Sequence, residues 1–229
     1  MGAVSARIDT EYSDDGTGLD QAYISYEAFG GTLSVGGIDS QLGYEAFEAP
    51  GLYTNSFGGS DQLPGTDIAL KFTMDLDEVS SLGVALVDDG SFIGDEALNQ
   101  DTVVEVAYGR DLGNGFNAFV GFRSAANGDD LMNAYVTYET GAMTFAAEIV
   151  DGETEADLLL LANYAYSDNA SVTVRYTTEE GAGNADDVDV LTLAHQLALA
   201  DNLSLTTELT DNGADDNEYV FSVGALFTF

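Results

Sequence analysis

Apolar and polar residues alternate with a period of two along most of this chain. In an extended strand that period sends successive side chains to opposite faces, so one face meets an apolar medium and the other meets water. From Ala3 to Tyr12, Val4, Ala6, Ile8 and Tyr12 fall on one face and Ser5, Arg7, Asp9 and Glu11 on the other. Thr66 to Asp75 separates Ile68, Leu70, Phe72 and Met74 from Asp67, Ala69, Lys71 and Thr73. In Phe116 to Ser124 the sets are Phe116, Ala118, Val120, Phe122 and Asn117, Phe119, Gly121, Arg123. In Ala170 to Thr178, Val172, Val174 and Tyr176 oppose Thr173, Arg175 and Thr177. The final segment places Tyr219, Phe221, Val223, Ala225, Phe227 and Phe229 on one face.

Similar segments lie at Leu19 to Ala28, Thr32 to Gly37, Leu82 to Val87, Thr102 to Arg110, Leu131 to Glu139, Ala142 to Val150, Ala156 to Tyr166, Val188 to Leu197 and Leu203 to Thr210. The total is about 14 strands, with about 12 or 16 still open, each near the ~9–11 residues that a tilted strand needs to cross a bilayer. In Val188 to Leu197 two phases compete, Leu191, Leu193 and Leu197 against Val188 and Val190.

The connections alternate as well. Short turns are expected at Phe29 to Gly31, Leu76 to Ser80, Asp111 to Gly115, Thr140 to Gly141, Ser167 to Asn169 and Leu199 to Asn202. Longer acidic loops fall between them, at Asp88 to Gln100, Ala125 to Asp130, Asp151 to Glu155, Glu179 to Asp187 and Asp211 to Asn217. This pattern predicts an all-β fold: an antiparallel up-and-down transmembrane β-barrel with short periplasmic turns and long extracellular loops. Soluble sandwiches have shorter strands and less regular connections. A single barrel domain over residues 1–229 absorbs the whole chain.

The chain carries 41 acidic and 5 basic residues, for a formal net charge of −36. Such a charge excludes nucleic acid as a partner, since phosphates would be repelled. There is no stretch of about 18 apolar residues, so a transmembrane helix is excluded. With no Cys in the chain, thiol chemistry and Cys-type zinc sites are absent. No charged-then-apolar leader precedes Ala3, which suggests a mature form.

Charge placement tests the phase assignment, because Arg or Lys facing mid-bilayer lipid costs about 2–4 kcal/mol. Arg7, Lys71, Arg123 and Arg175 fall in the polar phase, as do Asp9, Glu27, Asp67, Glu105, Glu139, Glu148 and Glu208. These are the expected pore-lining residues. Arg110 falls in the apolar phase at a strand end, where it can snorkel. Tyr26, Tyr108, Phe116, Tyr138, Tyr166 and Phe227 sit near strand ends, as an interfacial girdle requires.

No catalytic set can be assembled, and no enzyme is expected. With 41 acids, carboxylate pairs arise by chance. His195 is the sole imidazole, and it follows Leu191 and Leu193 into the apolar phase, so a girdle position is its expected role. The run from Gly113 to Ala118 mimics a dinucleotide fingerprint but opens a strand rather than a helix. Asp186, Asp187 and Asp189, and Asp211, Asp215, Asp216 and Glu218, lack the spacing of a calcium loop. No cofactor or specific metal is expected, and weak calcium or magnesium binding by the acidic loops stays open.

The segment from Ile38 to Gly65 is the longest connection and contains both prolines, Pro50 and Pro64. Loops of this length either fold in as a constriction or cover a mouth. Tyr44, Glu45, Phe47 and Glu48 are its candidate constriction residues.

Leu19 to Tyr26, then Val35, Gly36 and Gly37, then Gly43 to Pro50, together resemble the OmpL-like β-barrel porins, the porin-2 family. The terminal Leu226, Phe227, Thr228, Phe229 is similar to the aromatic signal by which outer-membrane proteins are inserted. The resemblance covers about the first quarter of the chain. It implies a passive channel in the bacterial outer membrane.

A barrel of about 14 strands is wide enough for a water-filled lumen when its inward residues are polar. The expected function is passive diffusion of ions and small hydrophilic solutes, with cation preference from the acidic loops. Opposed basic and acidic side chains across the narrowest section would orient polar solutes. A non-conducting barrel that binds at the surface or serves a structural role is the alternative. The expected partners are the lipid bilayer and the permeating solutes, and a homo-oligomer stays open.

Overall fold

The computed structural model describes residues 2–13, 16–44, 63–91, 102–124, 130–152, 156–179, 188–211 and 219–227. Glu45, Phe47, Glu48 and Phe229 lie outside the described residues, as do Asp186, Asp187, Asp215, Asp216 and Glu218.

The described strands are β1 (Val4–Ser13), β2 (Gly16–Ala28), β3 (Gly31–Asp39), β4 (Thr66–Asp77), β5 (Ser80–Ser91), β6 (Thr102–Gly113) and β7 (Phe116–Arg123). They continue with β8 (Leu131–Thr140), β9 (Met143–Asp151), β10 (Asp157–Ser167), β11 (Ala170–Glu179), β12 (Val188–Ala200), β13 (Leu203–Asp211) and β14 (Tyr219–Phe227). All 14 belong to one antiparallel sheet ordered as in the chain, the up-and-down arrangement that alternation predicts. Each expected segment is a strand. Several run further than their apolar alternation does: β5 pairs with β6 from Ser80↔Arg110 to Asp88↔Thr102, because backbone pairing continues where side-chain patterning fades.

Two compact units make up the chain. Unit 1 comprises residues 1–42, 64–111 and 119–132, and unit 2 comprises residues 43–63, 112–118 and 133–229.

In unit 1 the β2–β3 turn is Phe29 and Gly30, with φ of 55° and 80°, closing on the Ala28↔Gly31 pair. Two successive positive φ values are the mark of the hairpin turn whose twist matches its strands. The strands have two unlike faces. Ala69 and Ala85 are buried on one, while Leu70 and Leu86 are exposed on the other. The packed cluster of Ala69, Ala85, Val87 and Val103 lies on the same face as Lys71 and Glu105.

In unit 2, Asn114 and Gly115 form the β6–β7 turn with φ of 55° and 85°. The run from Gly113 is therefore a hairpin followed by a strand. On β11, Thr173, Arg175 and Thr177 are buried while Val174 is 43% exposed. On β12, Val190, Thr192 and Ala194 are buried while Leu191 and Leu193 are 49% and 50% exposed. That settles the competing phases of β12: the leucines take the apolar face, and register sets Thr192 between Arg175 of β11 and Thr210 of β13.

Each large apolar side chain left in water forgoes about 1.5–3 kcal/mol of burial. The apolar faces of both units carry many such residues, including Ile8, Ile24, Leu70, Leu160, Leu193 and Phe221. A surface so rich in exposed aliphatic and aromatic groups belongs against an apolar medium.

Candidate functional site

Each unit carries a group of contacts on its polar face, where residues following β3 attach. In unit 1, Arg123 of β7 bridges Asp67 of β4 at 2.9 Å and Glu105 of β6 at 3.0 Å. Glu105 is 1% exposed and also accepts hydrogen bonds from the Ser40 hydroxyl at 3.0 Å and the Gln41 amide at 3.3 Å. The Ser40 hydroxyl in turn accepts the Leu42 amide at 3.1 Å. Two glycines make room. A Cβ on Gly83 would strike the Gln41 carboxamide, and one on Gly121 would strike the Leu42 side chain. Asp39 accepts from Gln21 and Thr66, and its carbonyl accepts from Lys71 Nζ at 3.4 Å.

In unit 2, the Gly43 amide donates to Asn133 Oδ1 at 2.9 Å, and the Tyr44 amide donates to Glu148 Oε1 at 2.6 Å. Asn133 Nδ2 donates to the same carboxylate oxygen at 2.7 Å, joining the two acceptors. The Tyr44 ring packs beside Tyr135, with centroids 5.3 Å apart, and against the cluster of Ala146, Leu159, Leu161 and Ala194. Tyr44 is thus held by its backbone on polar groups and by its ring on an apolar pad.

The other expected pore-lining residues are placed as follows. Arg7 pairs with Asp9 at 2.5 Å, with their side chains 55% and 34% exposed. Glu27 is exposed and borders a cavity of about 560 Å³ with Phe29, Thr32, Thr73 and Asp75. Glu139 is exposed in the polar phase at the turn end of β8. Arg175, by contrast, is buried and donates to Thr192 at 3.3 Å, and Thr192 exchanges a hydrogen bond with Thr210 at 3.2 Å. Glu208 is buried opposite Ala194.

Sequence reasoning passed over Ser40, Gln41, Gly83, Gly121, Asn133 and Tyr135. The available signal was glycine within strand interiors, which marks close approach of another segment. His195 lies in the apolar phase of β12. Its Nε2 is 2.6 Å from the Tyr166 hydroxyl, and the two rings stack at 6.0 Å. Among the described residues, no group of three or more acidic or imidazole side chains is arranged to hold a metal.

Fourteen antiparallel strands in chain order, with one apolar face and one polar face, are the up-and-down arrangement of outer-membrane β-barrels. Solved structures agree. An engineered variant of the Rhodopseudomonas blastica porin is similar, with a TM-score of 0.73 and 16% identity over 97% of this chain and 88% of that one. A loop-deleted OmpT, an outer membrane protein of Vibrio cholerae, is similar with a TM-score of 0.67 and 15% identity over 99% of this chain and 85% of that one. No protein-family model and no curated protein matches the chain in sequence. At these identities the likeness shows the fold.

Proposed function

We propose that this chain is an outer-membrane porin, forming a water-filled channel for passive diffusion of ions and small hydrophilic solutes with a preference for cations. The observation that carries this reading is the division of the strands. Exposed aliphatic groups fill one face, and the other holds the Arg7–Asp9 pair and the Arg123–Asp67–Glu105 bridge. The porin fold of the similar structures supports it. So does the motif resemblance of residues 19–50 to the OmpL-like porins.

Cation preference follows from charge balance. Arg7 and Arg123 are matched by carboxylates in direct contact, so their fields are largely cancelled. The remaining acids, in a chain of net charge −36, set the potential that a permeating ion meets.

The test is single-channel recording of the full chain in planar bilayers under a potassium chloride gradient. Stepwise currents with a reversal potential displaced toward that of potassium are expected. A chloride-directed reversal overturns the cation preference, and a folded, inserted chain without current overturns the channel.

One observation favours a second reading. On the polar face of β11 and β12, Thr173 and Thr192 are both fully buried and Arg175 nearly so. A non-conducting barrel that binds at the surface or serves a structural role fits that closure, and the same recording separates the two.

A further inference from the structure

Arg110 stands apart from the other cations of the chain. Arg7, Lys71, Arg123 and Arg175 occupy the polar phase, whereas Arg110 is exposed on the apolar phase of β6, close to the β6–β7 turn. Its Nη1 makes two long contacts, to the Tyr108 hydroxyl at 3.3 Å and to Ser80 Oγ at 3.4 Å. Tyr108 also donates to Ser80 Oγ at 3.3 Å. Among the described residues, Nε and Nη2 have no partner, so one edge of the planar donor fork is open. A guanidinium with an open edge suits a tetrahedral oxyanion, which it can grip with two parallel N–H donors.

The surroundings narrow the class of anion. Register aligns Asp77 of β4 with Ser80 of β5, and Ser80 with Arg110 of β6, so an acid and a base lie in one row across three strands. The Asp77 carboxylate is tied to the turn by the Val79 amide at 2.9 Å, which holds it in place beside Ser80. Glu78 and Asp111 add negative charge nearby, so a group bearing only negative charge would be repelled. A headgroup carrying both a phosphate and a primary ammonium complements the row: phosphate on the open edge of Arg110, ammonium toward Asp77.

We propose that Asp77, Ser80, Tyr108 and Arg110 form a binding site for the zwitterionic headgroup of phosphatidylethanolamine at the turn-side edge of the apolar face. The site rests on the reading of this chain as a membrane-spanning barrel. Its phosphate half is the open edge of the Arg110 fork, which Tyr108 and Ser80 hold in place, and its ammonium half is the Asp77 carboxylate. Arg110 supplies retention, and Asp77 supplies discrimination against anionic lipids.

The test uses the full chain folded in mixed micelles with phosphatidylethanolamine and phosphatidylglycerol in equal amounts, with retained lipid counted by native mass spectrometry. Phosphatidylethanolamine is expected to be retained over phosphatidylglycerol by about two- to fivefold, the range of an exposed charge contact. Arg110→Ala should abolish the preference together with the retained phosphatidylethanolamine. Asp77→Asn should keep lipid bound while levelling the preference. Equal retention by Arg110→Ala and the parent chain, or a preference for phosphatidylglycerol in the parent, overturns the site. Heat-modifiable gel mobility and protease protection in vesicles are read in parallel. A parent chain that never inserts overturns the membrane reading and the site together, while one that inserts without lipid preference overturns the site alone.

Discussion

The Tyr44 amide donates to Glu148 Oε1 at 2.6 Å, and the partners are 104 residues apart in the chain. Because Asn133 donates to the same oxygen at 2.7 Å, this buried carboxylate organises two donors on one oxygen. Glu148→Gln retains an acceptor oxygen, whereas Glu148→Ala removes the acceptor that both donors share. Hydrogen bonds to a charged group contribute about 1.5–3 kcal/mol each. In single-channel recordings, Glu148→Ala is expected to give larger and noisier currents, with Glu148→Gln close to the parent. Identical traces from the alanine variant would show that Tyr44 does not shape the proposed conducting path.

Removing Arg123 leaves Asp67 and Glu105 without their shared partner in a region where Glu105 is 1% exposed. Breaking a buried pair in this way costs about 3–5 kcal/mol. Arg123→Ala is expected to lower the midpoint of urea unfolding and to shift the reversal potential further toward the cation. Arg123→Lys should recover charge but not the double contact, and so should fall between.

A Cβ at position 121 would occupy the space taken by the Leu42 side chain. Gly121→Ala is therefore expected to displace Leu42 at a cost of about 1–3 kcal/mol, the range for overpacking. Thermal unfolding of the folded gel form measures the cost. A shift in conductance alongside it reports that the segment after β3 has moved.

Leu193 is 50% exposed on the apolar face, and its chain neighbour Thr192 is closed. Arginine at mid-bilayer costs about 2–4 kcal/mol. Leu193→Arg is expected to reduce the fraction folded in vesicles sharply, whereas the same change at the exposed turn residue Asp201 should leave it unchanged. Equal tolerance at both positions would place Leu193 in water.

The proposed cation preference rests on charge, so it is expected to fade with salt. Screening lengths shrink from about 10 Å at 0.1 M to about 3 Å at 1 M. Reversal potentials at matched gradients, measured from low to high absolute concentration, should move toward the non-selective value.

The strands and their faces were legible wherever apolar and polar residues alternate with a period of two. For β12 the sequence left two phases open, and the register that sets Thr192 between Arg175 and Thr210 decides between them. Partners were not legible. Phase places Glu105 and Glu148 on the polar face but cannot show that Gln41 and Tyr44, 64 and 104 residues away, cover them. The clues were indirect: Gly83 and Gly121 where a side chain was expected, and a run from Leu158 to Leu161 that is apolar in both phases. Strand alternation turns Leu159 and Leu161 to the polar side, where the Tyr44 ring packs against their cluster.

The chain-order sheet also bears on how the molecule assembles. Every strand pairs with its neighbour in sequence, most of the connections on one side being turns of about two residues, so the ladder contacts are local and the loops they close cost little entropy. The hydrogen bonds of Tyr44 do not share that economy: they wait until β8 and β9 have been laid down. Assembly should therefore proceed hairpin by hairpin, with seating of the residues after β3 as a separate, later event. Time-resolved protection of the Tyr44 amide, lagging that of the β2–β3 ladder, would record it.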